Sequence, residues 1–213
     1  MTTSVALKSL LGGAALTLPL MAFGESNLQT GTTALTATAH VNFSVVIPKI
    51  LYLRVGTGST YTGAAPSLSS VGTIDTITFS PAAGTVGNGT AVAGVGGDLT
   101  GGVETAAVVS NSGNVTLSAS TGGALSDGAA GDTIPWTQIT TTATTNTSTT
   151  ALPAPVLANG ASASVLLTAP ASKLITQDAK WTYAYANSVT APAGTYGGTA
   201  ALNGQVTYTA TMP

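Results

Sequence analysis

The chain has 213 residues, of which only 6% are charged, and its formal net charge is -2. Ordinary soluble domains carry charge on roughly a quarter of their residues. The five basic residues Lys8, Lys49, Arg54, Lys173 and Lys180 lie too far apart in sequence to neutralise a run of phosphates, which argues against nucleic-acid binding. Zero cysteines exclude disulfides, thiolate metal sites and cysteine nucleophiles.

Read in chain order, Met1–Lys8 is a short, weakly positive lead and Leu10–Phe23 an apolar stretch. Small residues at Ala22 and Gly24 then stand where a signal peptidase reads, so residues 1–24 are predicted to be a cleaved signal helix and 25–213 a single domain. The apolar stretch is too short to span a bilayer, and no other segment has the length. A buried N-terminal helix is the other reading of the same residues. Glu25–Thr33 is polar and loose.

From Leu35 the pattern changes to strict alternation. Leu35, Ala37, Ala39, Val41, Phe43, Val45 and Ile47 face one way, while Thr36, Thr38, His40, Asn42 and Ser44 face the other. Period two is the mark of a strand with one buried face. Further strands are predicted at Ile50–Val55, Thr73–Phe79, Val103–Ser110, Asn114–Ser120, Ile134–Thr140, Ser164–Thr168, Trp181–Ala186 and Gln205–Met212. Asn111-Ser112-Gly113 reads as a tight hairpin turn. Gly84–Gly102 reads either as a mobile loop or as a glycine-rich hairpin that needs positive φ. Helical periodicity is nearly absent after the first segment, so the expected fold is all-β: an Ig-like antiparallel β-sandwich.

Candidate chemistry is sparse. His40 is the only histidine, with no second histidine or cysteine to join it, and it reads as a solvated strand residue. No Gly-x-Ser-x-Gly elbow or phosphate-cradling glycine loop is present. Asp127 and Asp132 flank a glycine-containing loop that reads either as a calcium loop or as an Asp-Gly turn. Trp136 and Trp181 read as core anchors, with a sugar-stacking platform as the alternative, and Tyr196 as a corner tyrosine whose hydroxyl returns to the backbone. The Asn-x-Ser/Thr triplets at Asn42, Asn88, Asn114 and Asn146 read as chance products of Thr and Ser abundance. No catalytic, cofactor or metal residue is assigned.

Val109–Leu117, Ile134-Pro135-Trp136, Trp181–Asn187, Pro192–Gly198 and the tail Val206–Ala210 together resemble secreted bacterial surface β-sandwiches of the pilin and spore-coat-U kind. This chain departs from many such pilins in having no cysteine. The resemblance implies a subunit that lacks one strand and receives it from the N-terminal extension of the next copy. The donor-strand candidate is residues 34–47, through Leu35, Ala37, Ala39, Val41, Phe43, Val45 and Ile47; the same residues also read as the first strand of their own sheet. The expected function is a non-enzymatic structural subunit of an extracellular filament, fimbrium, pilus or surface matrix. Its expected partners are further copies, head to tail, with a periplasmic chaperone and an outer-membrane assembly factor. The alternative is a monomeric carbohydrate- or surface-binding adhesin module.

Overall fold

The computed structural model describes residues 24–57, 68–129 and 131–213; the expected signal helix lies outside them. Backbone contacts divide the chain into two units, Met1–Ile47 and Pro48–Pro213.

Every regular element described belongs to the second unit. Its strands are β1 (Leu51–Val55), β2 (Ile77–Thr78), β3 (Val92–Ala93), β4 (Val95–Gly96), β5 (Val103–Ser110), β6 (Val115–Thr121), β7 (Leu125–Ser126), β8 (Thr133–Ile134), β9 (Ile139–Thr144), β10 (Val165–Leu167), β11 (Ile175–Tyr185) and β12 (Val206–Thr211). All ladders are antiparallel. The protein is an all-β antiparallel sandwich, as its alternation predicts.

One sheet runs β1–β5–β11–β3, so β5 is flanked by β1 and β11. β11 pairs with β5 over Ile175–Thr182 and with β9 over Lys180–Tyr185, so β9 takes its opposite edge. The second sheet runs β10–β6–β12. Between them lies a core of Val108, Val115, Leu117, Ala179 and Trp181, each at most 0% exposed, with Tyr183 and Tyr185 at the margin. The Trp181 indole N–H donates to Leu152 O at 2.8 Å, so its burial leaves no polar atom stranded.

Several expectations are corrected. Asn111–Gly113 is no hairpin: β5 and β6 lie in different sheets, and both edges of β5 are already taken by β1 and β11. The Asn111 side chain instead accepts from Ile50 N at 2.8 Å and donates to Pro48 O at 2.8 Å, turning the link into an arch between layers. The strand expected over Ile134–Thr140 is broken at Pro135, which has no N–H to give a ladder. A single 3-10 turn, Trp136–Gln138, follows before β9 begins. The strand expected at Trp181–Ala186 starts at Ile175, since Gln177 and the buried Asp178 hide its alternation. Of Thr73–Phe79 only Ile77 and Thr78 pair, with Val95 and Gly96. Gly84–Gly102 does need positive φ, at Gly87, Gly89, Gly96, Gly97, Gly101 and Gly102, yet β3 and β4 do not pair with each other. At Gly94 a Cβ would stand 2.9 Å from Gly102 Cα, so two backbones pass where no side chain fits.

Candidate functional site

The two sides of the sandwich are closed differently. On the side of β9 and β10, the segment between them crosses from one sheet to the other. Leu152 N donates to Asp178 O at 3.0 Å on β11, and Thr121 N on β6 donates to Gly160 O at 2.9 Å. Leu152 and Leu157, 0% and 2% exposed, fill the gap that the crossing spans. On the other side stand β1 and β12. Among the described residues β1 has β5 as its only ladder partner, and β12 has only β6. Their inward side chains pack on the core but remain half-buried: Leu51, Leu53 and Val55 on β1, Val206, Tyr208 and Ala210 on β12, and Met212 just after it.

This seam tapers. At one end Ser110 Oγ donates to Met212 Sδ at 3.3 Å and Lys49 Nζ to Pro213 O at 3.0 Å. A cavity of about 450 Å³ runs beside β1 towards Tyr208. At the other end a cavity of about 600 Å³ is walled by Phe79, Leu125, Trp136, Tyr183, Val206 and Tyr208. Tyr183 and Tyr208 share a hydroxyl–hydroxyl bond of 2.9 Å, and the Tyr208 ring lies 5.3 Å from that of Trp181. Burial pushes the Tyr208 phenol up to about 12 and the Tyr183 phenol further still. These phenols are therefore neutral hydrogen-bonding groups at any ordinary pH. The larger cavity is an aromatic groove beside two strand edges that share no ladder among the described residues.

One end of the groove carries a cluster of three carboxylates, Asp75, Asp98 and Glu104, that the sequence reading missed because they stand apart in sequence. Glu104, on β5, is 5% exposed. Its Oε2 accepts from Asp98 N at 3.2 Å. Asp75 accepts from the Thr57 backbone N–H and from Thr57 Oγ1, the latter at 2.7 Å. A Cβ on Gly56, which has φ +80, would run into the carboxylates of both Asp75 and Glu104. Arg54 lies 3.7 Å from Asp98 and also donates to Thr105 Oγ1. Burial is the main force raising the Glu104 carboxyl to about 7. The Asp98 N–H opposes it, while the charges of Asp75 and Asp98 and a hydrogen bond to Asp75 add to it.

The donor-strand candidates lie in the first unit. Residues 34–47 form no strand and are exposed along their whole length. Val41 is 74% exposed, Phe43 90%, Val45 85% and Ile47 75%, with Leu35 at 48% and Ala37 and Ala39 also exposed. The reading in which this segment is the first strand of its own sheet is therefore corrected. The segment alternates in sequence, but no ladder among the described residues uses it. His40 lies on this exposed stretch, off any strand, with its Nδ1 2.8 Å from Glu25 Oε2.

The remaining sequence candidates have structural posts. Trp136 and Trp181 are 6% and 0% exposed, so neither offers a stacking platform. Tyr196 donates to Pro192 O at 2.9 Å, the backbone return expected of it. Asp127 Oδ1 accepts from Ala129 N at 2.8 Å within its own turn, and among the described residues no group of three or more acids or histidines forms a metal cage. Two buried polar hubs escaped the sequence reading. Asn187, at φ 53, accepts from Gly87 N and donates to Thr85 O and Thr90 O; Asp178 gathers the loop after β9. A scan of protein-family models, a search of curated proteins and a search of solved structures each return no match to this chain.

Proposed function

We propose that the protein is a non-enzymatic structural subunit of an extracellular filament or surface matrix, exported and assembled head to tail by β-strand addition. Residues 34–47 of one copy lie in the groove between β1 and β12 of the next. The observation that carries this reading is the pairing of two deficits. The sandwich is crossed by its own chain on one side and, on the other, has two strand edges, β1 and β12, that share no ladder among the described residues. The segment ahead of it has strand alternation with its apolar face in water.

An inserted strand would pair with the outer backbone groups of β12 and turn Val41, Phe43 and Val45 into the groove. Each large apolar side chain so buried contributes about 1.5–3 kcal/mol. The resemblance to secreted pilin-like sandwiches supports the same reading. A periplasmic chaperone that lends a strand to the groove before assembly, and an outer-membrane factor that exchanges it, fit the same requirement. The test is electron microscopy and light scattering of the processed full chain beside its Phe43→Asp, Val45→Asp variant. Fibres are expected from the first and folded monomers from the second. Equal polymerisation of both would overturn the proposal.

A further inference from the structure

The larger cavity, about 600 Å³ in volume, is of a size that takes a small ligand, and the charge on its walls has one sign. Asp75 and Glu104 line it, and among the described residues no Lys, Arg or His does. Glu104 reaches it from inside the sandwich: it shares the inward face of β5 with Ala106 and Val108 and stands opposite Trp181 in the β5–β11 ladder. Arg54 lies on the other face of that sheet, against Thr105 and Asp98. The cavity also holds a stranded donor. Trp136 is 6% exposed, and its indole Nε1 is buried without a hydrogen-bond partner among the described residues, unlike that of Trp181. A buried N–H left unpaired is costly, so it marks a place for an acceptor.

We propose that this cavity is a binding site for a small organic ammonium ion that carries an acceptor oxygen, with its positive head against Glu104 and the aromatic walls and its oxygen on the Trp136 indole N–H. The rings of Phe79, Tyr183 and Tyr208 wall the same space, and ring faces attract a cation that has shed its water. A neutral apolar molecule would leave the buried carboxylate unanswered, and an anion would meet charges of its own sign. Among the described residues no group of three or more acids or histidines stands ready for a bare metal ion. The site lies within one sandwich, so it goes beyond the filament reading and does not depend on it. Burial and the charges of Asp75 and Asp98 raise Glu104 to about 7, so part of it is protonated at neutral pH. Tyr183 on β11 and Tyr208 on β12, the other titratable groups that face it, stay neutral. A bound ammonium favours the ionised carboxylate, so binding releases a proton and tightens as pH rises through that value.

The probe is choline, titrated calorimetrically into the processed full chain beside its neutral isostere, in which carbon replaces the nitrogen. At about pH 8 choline is expected to bind on the order of tenfold more tightly than the isostere, and on the order of tenfold more tightly than it does at about pH 6. Glu104→Gln keeps the shape of the side chain; it is expected to lose that tenfold in choline affinity, and the pH dependence, while binding the isostere as before. Trp136→Phe is expected to weaken choline and leave tetramethylammonium, which has no acceptor oxygen, unchanged. Near-ultraviolet circular dichroism shows that each variant keeps its packing. Equal binding of choline and the isostere, binding of neither, or a Glu104→Gln variant with the unmodified pH response would overturn the site. Choline binding as expected by a chain that never forms fibres would leave the site standing and sink the filament reading.

Discussion

Replacing Asp178 with Asn tests whether a buried carboxylate holds the closed side of the sandwich. Asp178 is 1% exposed and sits on β11. Its Oδ1 accepts from Thr147 N at 3.0 Å and Ser148 N at 2.7 Å; its Oδ2 accepts from Thr147 Oγ1 at 2.6 Å and Asn146 Nδ2 at 3.0 Å. Burial alone would raise this carboxyl, but the hydrogen bonds from Thr147 and Ser148 outweigh it and hold it down at about 2, from 3.8. A difference of that size corresponds to about 2.5 kcal/mol in favour of the ionised form. Asn146 and Thr147 face water, so screening leaves about 1–2 kcal/mol of it as stability. Asn keeps one acceptor oxygen but turns an NH2 towards N–H donors, which adds a buried clash of donors. The expected loss at neutral pH is about 2–3 kcal/mol in urea denaturation. A depressed carboxyl contributes its stability above its unfolded value and loses it as pH falls. The unmodified protein should therefore weaken between about pH 4 and pH 2, and the Asn variant should lose that part of the slope. Stability within about 0.5 kcal/mol of the original, or an unchanged acid slope, would refute the reasoning.

Two further changes probe the elements that shape the groove's surroundings. Gly94→Val places a Cβ 2.6 Å from Ile77 Cγ2 and 2.9 Å from Gly102 Cα, where the backbone cannot yield. It should lower stability by about 2–3 kcal/mol in thermal unfolding, as overpacking does. Asn187→Ala removes the side chain that holds Gly87 N, Thr85 O and Thr90 O. It also puts a residue without a polar side chain at φ 53. Faster amide exchange confined to residues 85–90 is expected, with a stability loss of about 2–4 kcal/mol.

Alternation carried the sequence reading wherever one face of a strand is solvated. β12 shows it most clearly: Val206, Tyr208 and Ala210 face in and Thr207, Thr209 and Thr211 face out. β11 was half lost because it is central, and central strands bury polar residues on both faces when partners exist. Asp178 is one such residue, with its partners some thirty positions away on the loop after β9. The hairpin expected at Asn111–Gly113 failed for a related reason. Turn chemistry specifies that the chain reverses, whereas whether it reverses within a sheet or between sheets depends on which edges are already occupied. The carboxylate cluster was invisible because Asp75, Asp98 and Glu104 are ordinary surface-type acids in sequence, and only the fold brings them to one end of the groove. The segment 34–47 alternates in sequence yet forms no strand, because alternation alone does not supply an edge to pair with.

On the strand-addition reading, the geometry of the two deficits also decides the form of the assembly. Each copy offers one strand and one groove, and these are different surfaces. A contact between unlike surfaces is heterologous, and such contacts propagate into an open chain unless the turn between copies happens to close a ring. Two copies could instead exchange strands reciprocally and stop, but then every groove would be filled and neither end could grow. Composition bears on the same choice. With 6% of residues charged, neighbouring copies repel one another little. A surface of Thr, Ser, Asn and Gly titrates little, so a filament once formed would resist changes of salt and acidity. The buried Glu104 is the exception in this little-charged chain: burial raises its carboxyl to about 7, and it lines the larger cavity.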